Sequence, residues 1–381
     1  MALRPTVAEV DLTAIAANVR EVQKKVAPAQ VMAVVKADAY GHGAVPVARV
    51  ALQSGASRLA VALVEEALEL REAGIKAPIL VFGGVFVEDA ELFATHDLEA
   101  TVYTKKALVA LAEAGTRIGK AVSVHVKVDT GMGRVGVAWQ KAPEFVGEVL
   151  GTKGVALTGL YTHFATSDEA DKSYAHLQLR RFQKVLERLG SGGVRVPLVH
   201  AANSGAILDL PEATFDAVRP GVMLYGYYPS PETTESVPLK PAMTFRTRVL
   251  YVKQVEPGTS VSYGRKYVAK RRTRIATLPV GYADGYNRLL SNQGEVLIRG
   301  RIYPVVGRVC MDQILVDLGP DSPVEPGDDV VLFGRCGDRE ISVYSICEKL
   351  HTIPYEVTCW VSKRVPRVYV GDISQRVVDN S

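Results

Sequence analysis

The sequence predicts an α/β protein, with an N-terminal (β/α)8 barrel followed by a smaller, mostly antiparallel β domain. Three observations predict this fold. In the first 230 residues, short runs rich in Val, Leu and Ala alternate with longer stretches that have the 3.6-residue period of helices. Polar residues cluster where several of the apolar runs end. Beyond residue 237, short strand-like runs follow one another with Gly, Pro and Asp between them.

Eight apolar segments are the predicted strands of the barrel. They are almost continuously apolar rather than alternating, which is typical of parallel strands covered on both faces. Eight strand–helix units in a row fit a closed barrel better than an open sheet. The predicted strands begin at Val31, Arg58, Pro78, Glu99, Val122, Ala156, Pro197 and Ala217, and the clearest helical patterns cover Leu12 to Val26, Glu65 to Gly74 and Asp171 to Gly190.

Polar side chains follow the carboxyl ends of several predicted strands. In a (β/α)8 barrel these ends meet on one face, where barrel enzymes build their active sites. A barrel without a site there would have polar residues scattered over both ends. We therefore expect one face to carry Lys36, Lys127 with Asp129, His163, Asn203 with Ser204, and Arg219.

A proline-rich segment near residue 229 predicts the boundary between two domains. The stretch YYPSPETTESVPLKPAM has the composition of a linker, and the strand pattern changes on its far side. We predict that the barrel spans residues 1–230 and that the β domain spans residues 238–381.

Composition excludes several classes of function. A net charge of +4 over 381 residues is too small a bias for a nucleic-acid or anionic-membrane surface. The N-terminus lacks the apolar run of a signal peptide, and no uninterrupted apolar run is long enough to cross a bilayer. We expect a cytoplasmic protein that binds a small molecule and has no metal site, since no CxxC pair occurs among Cys310, Cys336, Cys347 and Cys359.

Lys36 is the most informative single residue, because it ends a buried apolar strand within VVKADAYGHG. Burying an ammonium group is costly unless the amine is neutral or covalently engaged. A desolvated amine with a lowered pKa is what a Schiff base with an aldehyde cofactor requires. The alternative interpretation is a lysine whose head group reaches water at the end of the strand.

The VVKADAYGHG segment resembles the alanine racemases, a pyridoxal-phosphate-dependent family with an N-terminal barrel and a C-terminal β domain. Further segments resemble motifs of that family in the same order, and together they cover both domains. Many colinear matches are far more specific than any one alone. These segments are HVKVDTGMGRVG, GLYTHFATSDE, HAANSGA, VRPGVMLYG, VSYGRKY, PVGYADGY, VGRVCMDQ and IPYEV.

The resemblance implies interconversion of L-alanine and D-alanine by two bases. Lys36 holds the cofactor and serves one face of the substrate, Tyr263 serves the other, and His163 is a relay from Tyr263 toward Arg219. Arg219 faces the pyridine nitrogen; since an arginine cannot accept its proton, we expect a weak electron sink that favours racemisation over transamination. The implied cofactor contacts are Lys36, Tyr40, His163, Asn203, Ser204, Arg219, Gly221, Val222 and Tyr355. Five of them are the implied phosphate contacts: Tyr40, Ser204, Gly221, Val222 and Tyr355.

Substrate recognition is implied by further residues of the resemblance. Arg134 binds the substrate carboxylate or the phenolic oxygen of the cofactor. Carbamylation of Lys127 would give an anion that orients Arg134; a plain pair of Lys127 with Asp129 is the alternative. Residues that line or narrow a small substrate pocket are Cys310, Met311, Tyr282 and Tyr355.

A homodimer with composite active sites is also implied by the resemblance. Tyr263, Tyr282 and Met311 belong to the predicted second domain, whereas the cofactor residues belong to the first. In the family the second domain of one subunit reaches the barrel of its partner. The physiological role implied is supply of D-alanine for bacterial cell-wall peptidoglycan.

Several alternatives stay open at this point. A broad-specificity or serine racemase would share the scaffold and its motifs. A basic amino acid decarboxylase would carry a carboxylate for the pyridine nitrogen, in place of Arg219. A non-catalytic pyridoxal-phosphate-binding barrel would lack the second domain that holds Tyr263. A barrel without any cofactor would give no yellow, borohydride-sensitive chromophore on Lys36.

Overall fold

The computed structural model describes residues 4–371, which fall into two compact units. The barrel unit consists of Ala14–Ala39 and Gly43–Lys240. The β unit consists, within the described residues, of 4–13, Tyr40–His42 and 241–371. Each unit is described by itself below.

Ten strands precede residue 241. They are β1 (Val7–Asp11), β2 (Gln30–Val34), β3 (Arg58–Val61), β4 (Ile79–Val81), β5 (Glu99–Val102), β6 (Val122–Asp129), β7 (Val137–Ala138), β8 (Val155–Tyr161), β9 (Val199–His200) and β10 (Ala217–Val218). Eight of them form a ring in the hydrogen-bonded order β5-β4-β3-β2-β10-β9-β8-β6, which the pairing of β5 with β6 closes. All pairs in the ring are parallel. The predicted eight-stranded barrel is therefore confirmed, with every predicted strand present.

Helices alternate with the barrel strands, as predicted. They are α1 (Leu12–Val26), α2 (Lys36–Tyr40), α3 (Ala44–Gln53), α4 (Val64–Glu72), α5 (Ala90–Thr95), α6 (Lys105–Ile118), α7 (Ala142–Gly151), α8 (Ser173–Ser191) and α9 (Ser204–Asp209). The three helices with the clearest sequence pattern correspond to α1, α4 and α8. No helix within residues 4–371 has the length and apolar character needed to cross a membrane.

The β unit is mostly antiparallel, as predicted. Its strands beyond residue 240 are β11 (Met243–Arg248), β12 (Tyr251–Val255), β13 (Ser260–Val261), β14 (Tyr267–Val268), β15 (Thr273–Leu278), β16 (Glu295–Ile298), β17 (Arg301–Pro304), β18 (Ile314–Gly319), β19 (Asp329–Cys336), β20 (Arg339–Ile341) and β21 (Arg367–Val370), with helices α10 (Val343–Leu350) and α11 (Pro354–Trp360). The main sheet has the order β17-β16-β19-β11-β1-β21, with β20 paired to β19. A three-stranded sheet, β12-β15-β18, and the pair β13–β14 complete the unit.

Strand β1 lies inside the main sheet of the β unit, although it comes first in the chain. It pairs antiparallel with β11 and parallel with β21, with Val10 opposite Met243 and Tyr369. The predicted division at residues 1–230 and 238–381 does not anticipate this grouping. The partners of β1 are more than 230 residues away in sequence, and the local pattern VAEVD carries no information about which sheet it joins.

Candidate active site

Lys36 is separated from the end of β2 by Val35 alone, and it opens a turn of unusual handedness. Residues Ala37, Asp38, Ala39 and Tyr40 have φ between 52° and 53°, so four successive non-glycine residues are left-handed. Each such residue costs on the order of 1–2 kcal/mol. The Asp38 carboxylate accepts a hydrogen bond from the Ala44 amide at 2.7 Å, and the Ala39 amide donates to the Val35 carbonyl at 2.9 Å. Backbone strain of this kind is characteristic of functional sites, and here it fixes the backbone just beyond Lys36.

Arg219 lies directly after β10 and is almost fully buried. Its guanidinium donates to the carbonyls of Thr162 and Ala201 at 2.7 and 2.8 Å, and to His200 Nδ1 at 2.8 Å. His163 Nδ1 is a longer contact at 3.3 Å, so the structure brings His163 next to Arg219, and the relay toward Tyr263 stays a prediction. Burial lowers the pKa of Arg219 to about 10. All four acceptors are neutral, so these hydrogen bonds bring no carboxylate to the cation.

Cationic side chains surround His163 at the same end of the barrel. Lys127 is buried near the end of β6, and burial, with Arg134 and Arg219 nearby, lowers its pKa to about 8. Burial and the charges of Arg219, Lys127, Arg134 and Lys36 hold the pKa of His163 well below its usual value. His163 is therefore neutral at physiological pH. The predicted clustering of these residues is thus present within the barrel unit.

The carboxylate of Asp129 is engaged with the backbone of the turn that follows β6. It accepts hydrogen bonds from the amides of Gly131 and Gly133 at 2.9 and 3.1 Å. Its charge opposes the lowering of the Lys127 pKa but is outweighed by burial and by the two arginines. The simple Lys127–Asp129 pair, which the sequence left as an alternative, is therefore not what dominates at Lys127. Arg134, in the same turn, is exposed.

Ser204 and Gly221 meet in the barrel unit. The buried Ser204 Oγ accepts a hydrogen bond from the Gly221 amide at 3.0 Å. Val222, the next residue, begins a buried 3₁₀ helix. Three of the predicted phosphate contacts therefore lie together.

Asn203, rather than Ser204, caps helix α9. Its Oδ1 accepts from the Ala206 amide at 3.1 Å and from the Ser167 hydroxyl at 2.7 Å. Ser204 is therefore not the N-cap of this helix, because Asn203 holds that position and satisfies one free amide of the first turn. The Ser204 hydroxyl is left to contact Gly221.

Tyr40 and Tyr355 pack together in the β unit. Their ring centroids are 5.8 Å apart, and Tyr40 is buried. A Cβ on Gly41 would clash with the carbonyl of Thr358 in α11, so only glycine permits this close approach. Gly41 also has φ of 83°, which favours glycine. The remaining two predicted phosphate contacts are thus neighbours as well.

Three exposed side chains of the β unit lie on adjoining segments. Tyr263 begins a 3₁₀ helix and is 72% exposed, Tyr282 is 41% exposed, and Met311 is 51% exposed. The Tyr282 amide donates to the Cys310 carbonyl at 3.0 Å. Ser262 Oγ, next to Tyr263, lies 3.6 Å from Cys310 Sγ. Tyr263, the predicted second base, is therefore grouped with three of the predicted pocket residues, Tyr282, Cys310 and Met311.

Sequence reasoning missed His200, which contacts Arg219 directly. It is fully buried, and its ring stacks on Tyr161 with centroids 4.7 Å apart and planes 8° apart. Tyr161 also lies under Arg219 and Lys127, 5.2 and 5.5 Å from their charged groups. The available signal was a histidine and a tyrosine at the ends of apolar strands, next to residues already singled out.

Two family models match the chain, one for each unit. The model for the alanine racemase N-terminal domain matches residues 10–229, and the model for the alanine racemase C-terminal domain matches residues 242–369. Among curated relatives, alanine racemase 2 of Caldanaerobacter subterraneus subsp. tengcongensis is 49% identical over 370 residues, covering 97% of this chain and 95% of the relative. The alanine racemase of Halothermothrix orenii is 47% identical and covers 97% and 98%.

Solved structures of the same family have the same fold. An alanine racemase of Clostridium difficile 630 superposes with a TM-score of 0.93 at 38% identity, covering 97% of each chain. The alanine racemase of Bacillus anthracis with bound L-Ala-P gives a TM-score of 0.92 at 40% identity, covering 98% of this chain and 96% of that one. The histidine racemase of Leuconostoc mesenteroides subsp. sake gives 0.90 at 30%, covering 97% and 99%. Both halves of the sequence, and the fold of the whole, place this chain in the alanine racemase family.

Proposed function

We propose that this chain is an alanine racemase, an isomerase that interconverts L-alanine and D-alanine with pyridoxal phosphate as cofactor. The observation that carries the proposal is the match to proteins named alanine racemase over 97% of the chain, through both units. The barrel residues described above give it a chemical basis.

The donors at the barrel mouth suit an anionic cofactor that carries an aldehyde. Lys36 supplies an amine at the end of β2, and the Ser204 hydroxyl with the amides of Gly221 and Val222 supplies hydrogen-bonding groups for a phosphate. Arg219 is a buried cation whose hydrogen bonds go to neutral groups. Placing an anion beside such a cation offsets the cost of burying it.

Pyridoxal phosphate, when bound, would draw electrons away from the α-carbon of the amino acid and so acidify its hydrogen. Racemisation then needs one group that removes this proton and another that delivers a proton to the opposite face. We assign the first face to the Lys36 amine and the second to the Tyr263 phenol. A tyrosine is ordinarily protonated at neutral pH, so Tyr263 needs a charged neighbour or a relay, for which we propose His163.

We assign Arg219 to the pyridine nitrogen of the cofactor, as a hydrogen-bond donor that does not exchange a proton. A guanidinium donates hydrogen bonds and keeps its own protons at working pH. Facing the pyridine nitrogen, it would leave the ring a weaker electron sink than a carboxylate would. The expected consequence is prompt return of a proton to the α-carbon, which favours racemisation over transamination.

We propose that Lys127 is carbamylated and that the resulting anion orients Arg134 toward the carboxylate of the substrate. The reaction joins carbon dioxide to the neutral amine with release of one proton. A pKa of about 8 leaves a substantial neutral fraction of Lys127 at physiological pH. The product exchanges a cation for an anion beside Arg134 and Arg219, both of which disfavour the ammonium form.

We also propose a homodimer in which each active site combines a barrel with the β unit of a second copy. Tyr263, Tyr282 and Met311 are exposed within one chain, whereas a base that serves the α-carbon must be shielded from water. A second copy is the simplest source of that shielding. Velocity sedimentation at micromolar concentration should give a dimer, and a persistent monomer with full activity would contradict this assembly.

The physiological role that we propose is supply of D-alanine for bacterial peptidoglycan, in the cytoplasm. The relatives named above come from bacteria, and the four cysteines are free thiols, as expected in a reducing compartment. Growth of a D-alanine auxotroph on this gene without added D-alanine tests the role.

The central test is a chiral assay of L- and D-alanine, with serine and histidine as competing substrates. Lys36→Ala should abolish racemisation, and Tyr263→Phe should suppress it in both directions, most strongly from L-alanine. Tyr251→Phe is a matched control, since Tyr251 is 55% exposed in β12 of the same unit. Unchanged activity of Tyr263→Phe would remove the two-base scheme. Faster turnover of serine or histidine than of alanine would favour a different amino acid racemase, as the histidine racemase neighbour illustrates.

A further inference from the structure

A row of polar side chains runs through the barrel interior, from Arg219 to Arg58, and the proposed reaction leaves most of it unused. Arg219 Nη1 donates to His200 Nδ1 at 2.8 Å, and His200 Nε2 lies 2.9 Å from His125 Nδ1. His125 Nε2 lies 3.4 Å from Glu99 Oε2, and Arg58 Nη1 donates to both oxygens of Glu99 at 2.7 and 2.8 Å. Arg58 and Glu99 begin their strands, so the row joins the two ends of the barrel.

The barrel is shaped around His125. A barrel interior is normally filled with branched apolar side chains, yet His125 and His200 are both 0% exposed there. Gly159 lies opposite His125 on β8, and a Cβ at that position would clash with the imidazole. The register of β6 against β8 also shifts between Val124 and His125. These accommodations indicate that the imidazole has a specific place in the interior.

Only one arrangement of protons satisfies both ends of the row. A guanidinium only donates and an ionised carboxylate only accepts. His200 Nδ1 accepts from Arg219, so a neutral His200 carries its proton on Nε2 and donates to His125. A neutral His125 then carries its proton on Nε2, toward Glu99. The hydrogen bonds of Arg219 and His200 therefore point away from the barrel mouth. The last contact, from His125 Nε2 to Glu99 Oε2 at 3.4 Å, is electrostatic and is not an aligned hydrogen bond.

The charge states required by this arrangement agree with the surroundings of His200 and Glu99. Burial and the charges of Arg219 and Arg58 hold the pKa of His200 well below its usual value, so the ring is neutral. Burial alone would raise the pKa of Glu99, but its contacts with His125 and Arg58 lower it to about 2. Glu99 is thus a carboxylate. The stacked ring of Tyr161 keeps His200 from turning.

We propose that His125 and Glu99 are positioning residues for Arg219: acting through His200, they hold its guanidinium at the barrel mouth. Glu99 supplies a negative charge at the far end of the row, and the aligned imidazoles extend its influence to Arg219. No carboxylate then needs to lie beside the cofactor. The role in catalysis rests on the proposed function, whereas the arrangement of protons does not.

A purely structural role for His125 would give a different outcome when it is replaced. Packing requires only a side chain of similar volume, whereas positioning requires an acceptor for the His200 Nε2 proton. His125→Leu keeps the volume and removes the acceptor. His125→Asn places an amide oxygen near the position of Nδ1 and so restores it. Glu99→Gln keeps the shape at the far end and removes the charge.

The first experiment measures kcat and KM for alanine, normalised to bound cofactor measured by absorbance. We expect His125→Leu to lose at least tenfold in kcat with KM changed less than twofold, and His125→Asn to retain at least one third of the wild-type kcat. Val124→Ala, a neighbouring buried truncation in the same strand, controls for lost stability and should leave kcat per cofactor unchanged. His125→Leu with wild-type kcat, or His125→Asn no better than His125→Leu, would overturn the proposal.

The second experiment reads the protons directly and needs no activity. In protein labelled with 15N only in its seven histidines, the nitrogen shifts of His200 and His125 distinguish the two tautomers, with assignment from the single variants. We expect both rings to carry the proton on Nε2 at neutral pH in the wild type. A proton on Nδ1 of either ring refutes the row, whether or not the chain racemises alanine. Glu99→Gln should move the His125 Nε2 shift.

Discussion

Replacing Lys127 with methionine should stabilise the cofactor-free protein at neutral pH. Lys127 is buried, and its pKa falls from 10.5 to about 8 because of burial and of Arg134 and Arg219. That fall corresponds to about 3 kcal/mol of folding free energy. Methionine has a similar length and no charge, so the variant avoids this cost.

The pH dependence follows from the direction of the shift. Below pH 8 the amine is protonated in both the folded and the unfolded protein, and the folded state bears the full cost. Between pH 8 and 10.5 the folded state has lost the proton while the unfolded state still binds it, so the free energy of unfolding of the wild type rises with pH. The advantage of Lys127→Met should therefore be largest, up to about 3 kcal/mol, at pH 7 and should vanish near pH 10.5.

Urea unfolding of both proteins at pH 7 and pH 10, freed of cofactor and of carbon dioxide, provides the measurement. A variant that is less stable at pH 7, or a stability difference that does not change with pH, would refute the charge cost. Added bicarbonate provides a second test. Carbon dioxide that reacts with Lys127 in the folded protein should stabilise the folded state by mass action. Bicarbonate should stabilise the wild type and leave Lys127→Met unchanged; an equal response in both removes the carbamate.

Two further predictions concern single atoms. Ser204→Ala removes the hydroxyl that accepts a hydrogen bond from the Gly221 amide. The variant should bind pyridoxal phosphate about 10- to 100-fold more weakly, as measured by fluorescence titration. Unchanged affinity would exclude Ser204 from the phosphate site. Gly159→Ala forces a Cβ against His125, and it should lower the free energy of unfolding by about 1–3 kcal/mol. Gly147→Ala is the matched control, since Gly147 has open space around it in α7. This control should raise the free energy of unfolding by up to about 1 kcal/mol. Equal destabilisation by both variants would contradict a steric clash with His125 as the cause.

The barrel was predictable because its signals are local. Each strand is a short apolar run and each long helix has its own period, so the eight units can be found one at a time, and the parallel ring follows from their alternation. Strand β1 was not predictable in this way. Its partners, β11 and β21, lie at the other end of the chain, and VAEVD would fit an edge strand of either domain.

The candidate site was predictable where residue type and strand position coincide. Lys36 and Arg219 stand out because each is a charged residue at the end of an apolar strand. Burying such a charge is costly, so its presence there indicates a function. His125 and His200 do not stand out, because a buried histidine within a strand is ambiguous until its neighbours are known. The left-handed turn at Ala37–Tyr40 was also hidden: alanine disfavours that conformation, and only contacts from the surrounding fold, such as that of Glu66 with the Ala37 amide, hold it.

The arrangement of charge in the barrel links stability to function. The charges of Arg134 and Arg219 disfavour the ammonium form of Lys127, and the carboxylate of the polar row, Glu99, lies at the opposite end of the barrel, where β5 begins. A cofactor-free barrel is therefore less stable than its packing allows, and an anion at the mouth should recover part of that loss. The stability gained on saturation with pyridoxal phosphate measures this coupling. In protein freed of carbon dioxide Lys127 is not carbamylated, so Lys127→Met removes a cation. The variant should then raise the stability of the cofactor-free protein and reduce the gain from the cofactor. A gain equal to that of the wild type would mean that Lys127 acts on the substrate side alone.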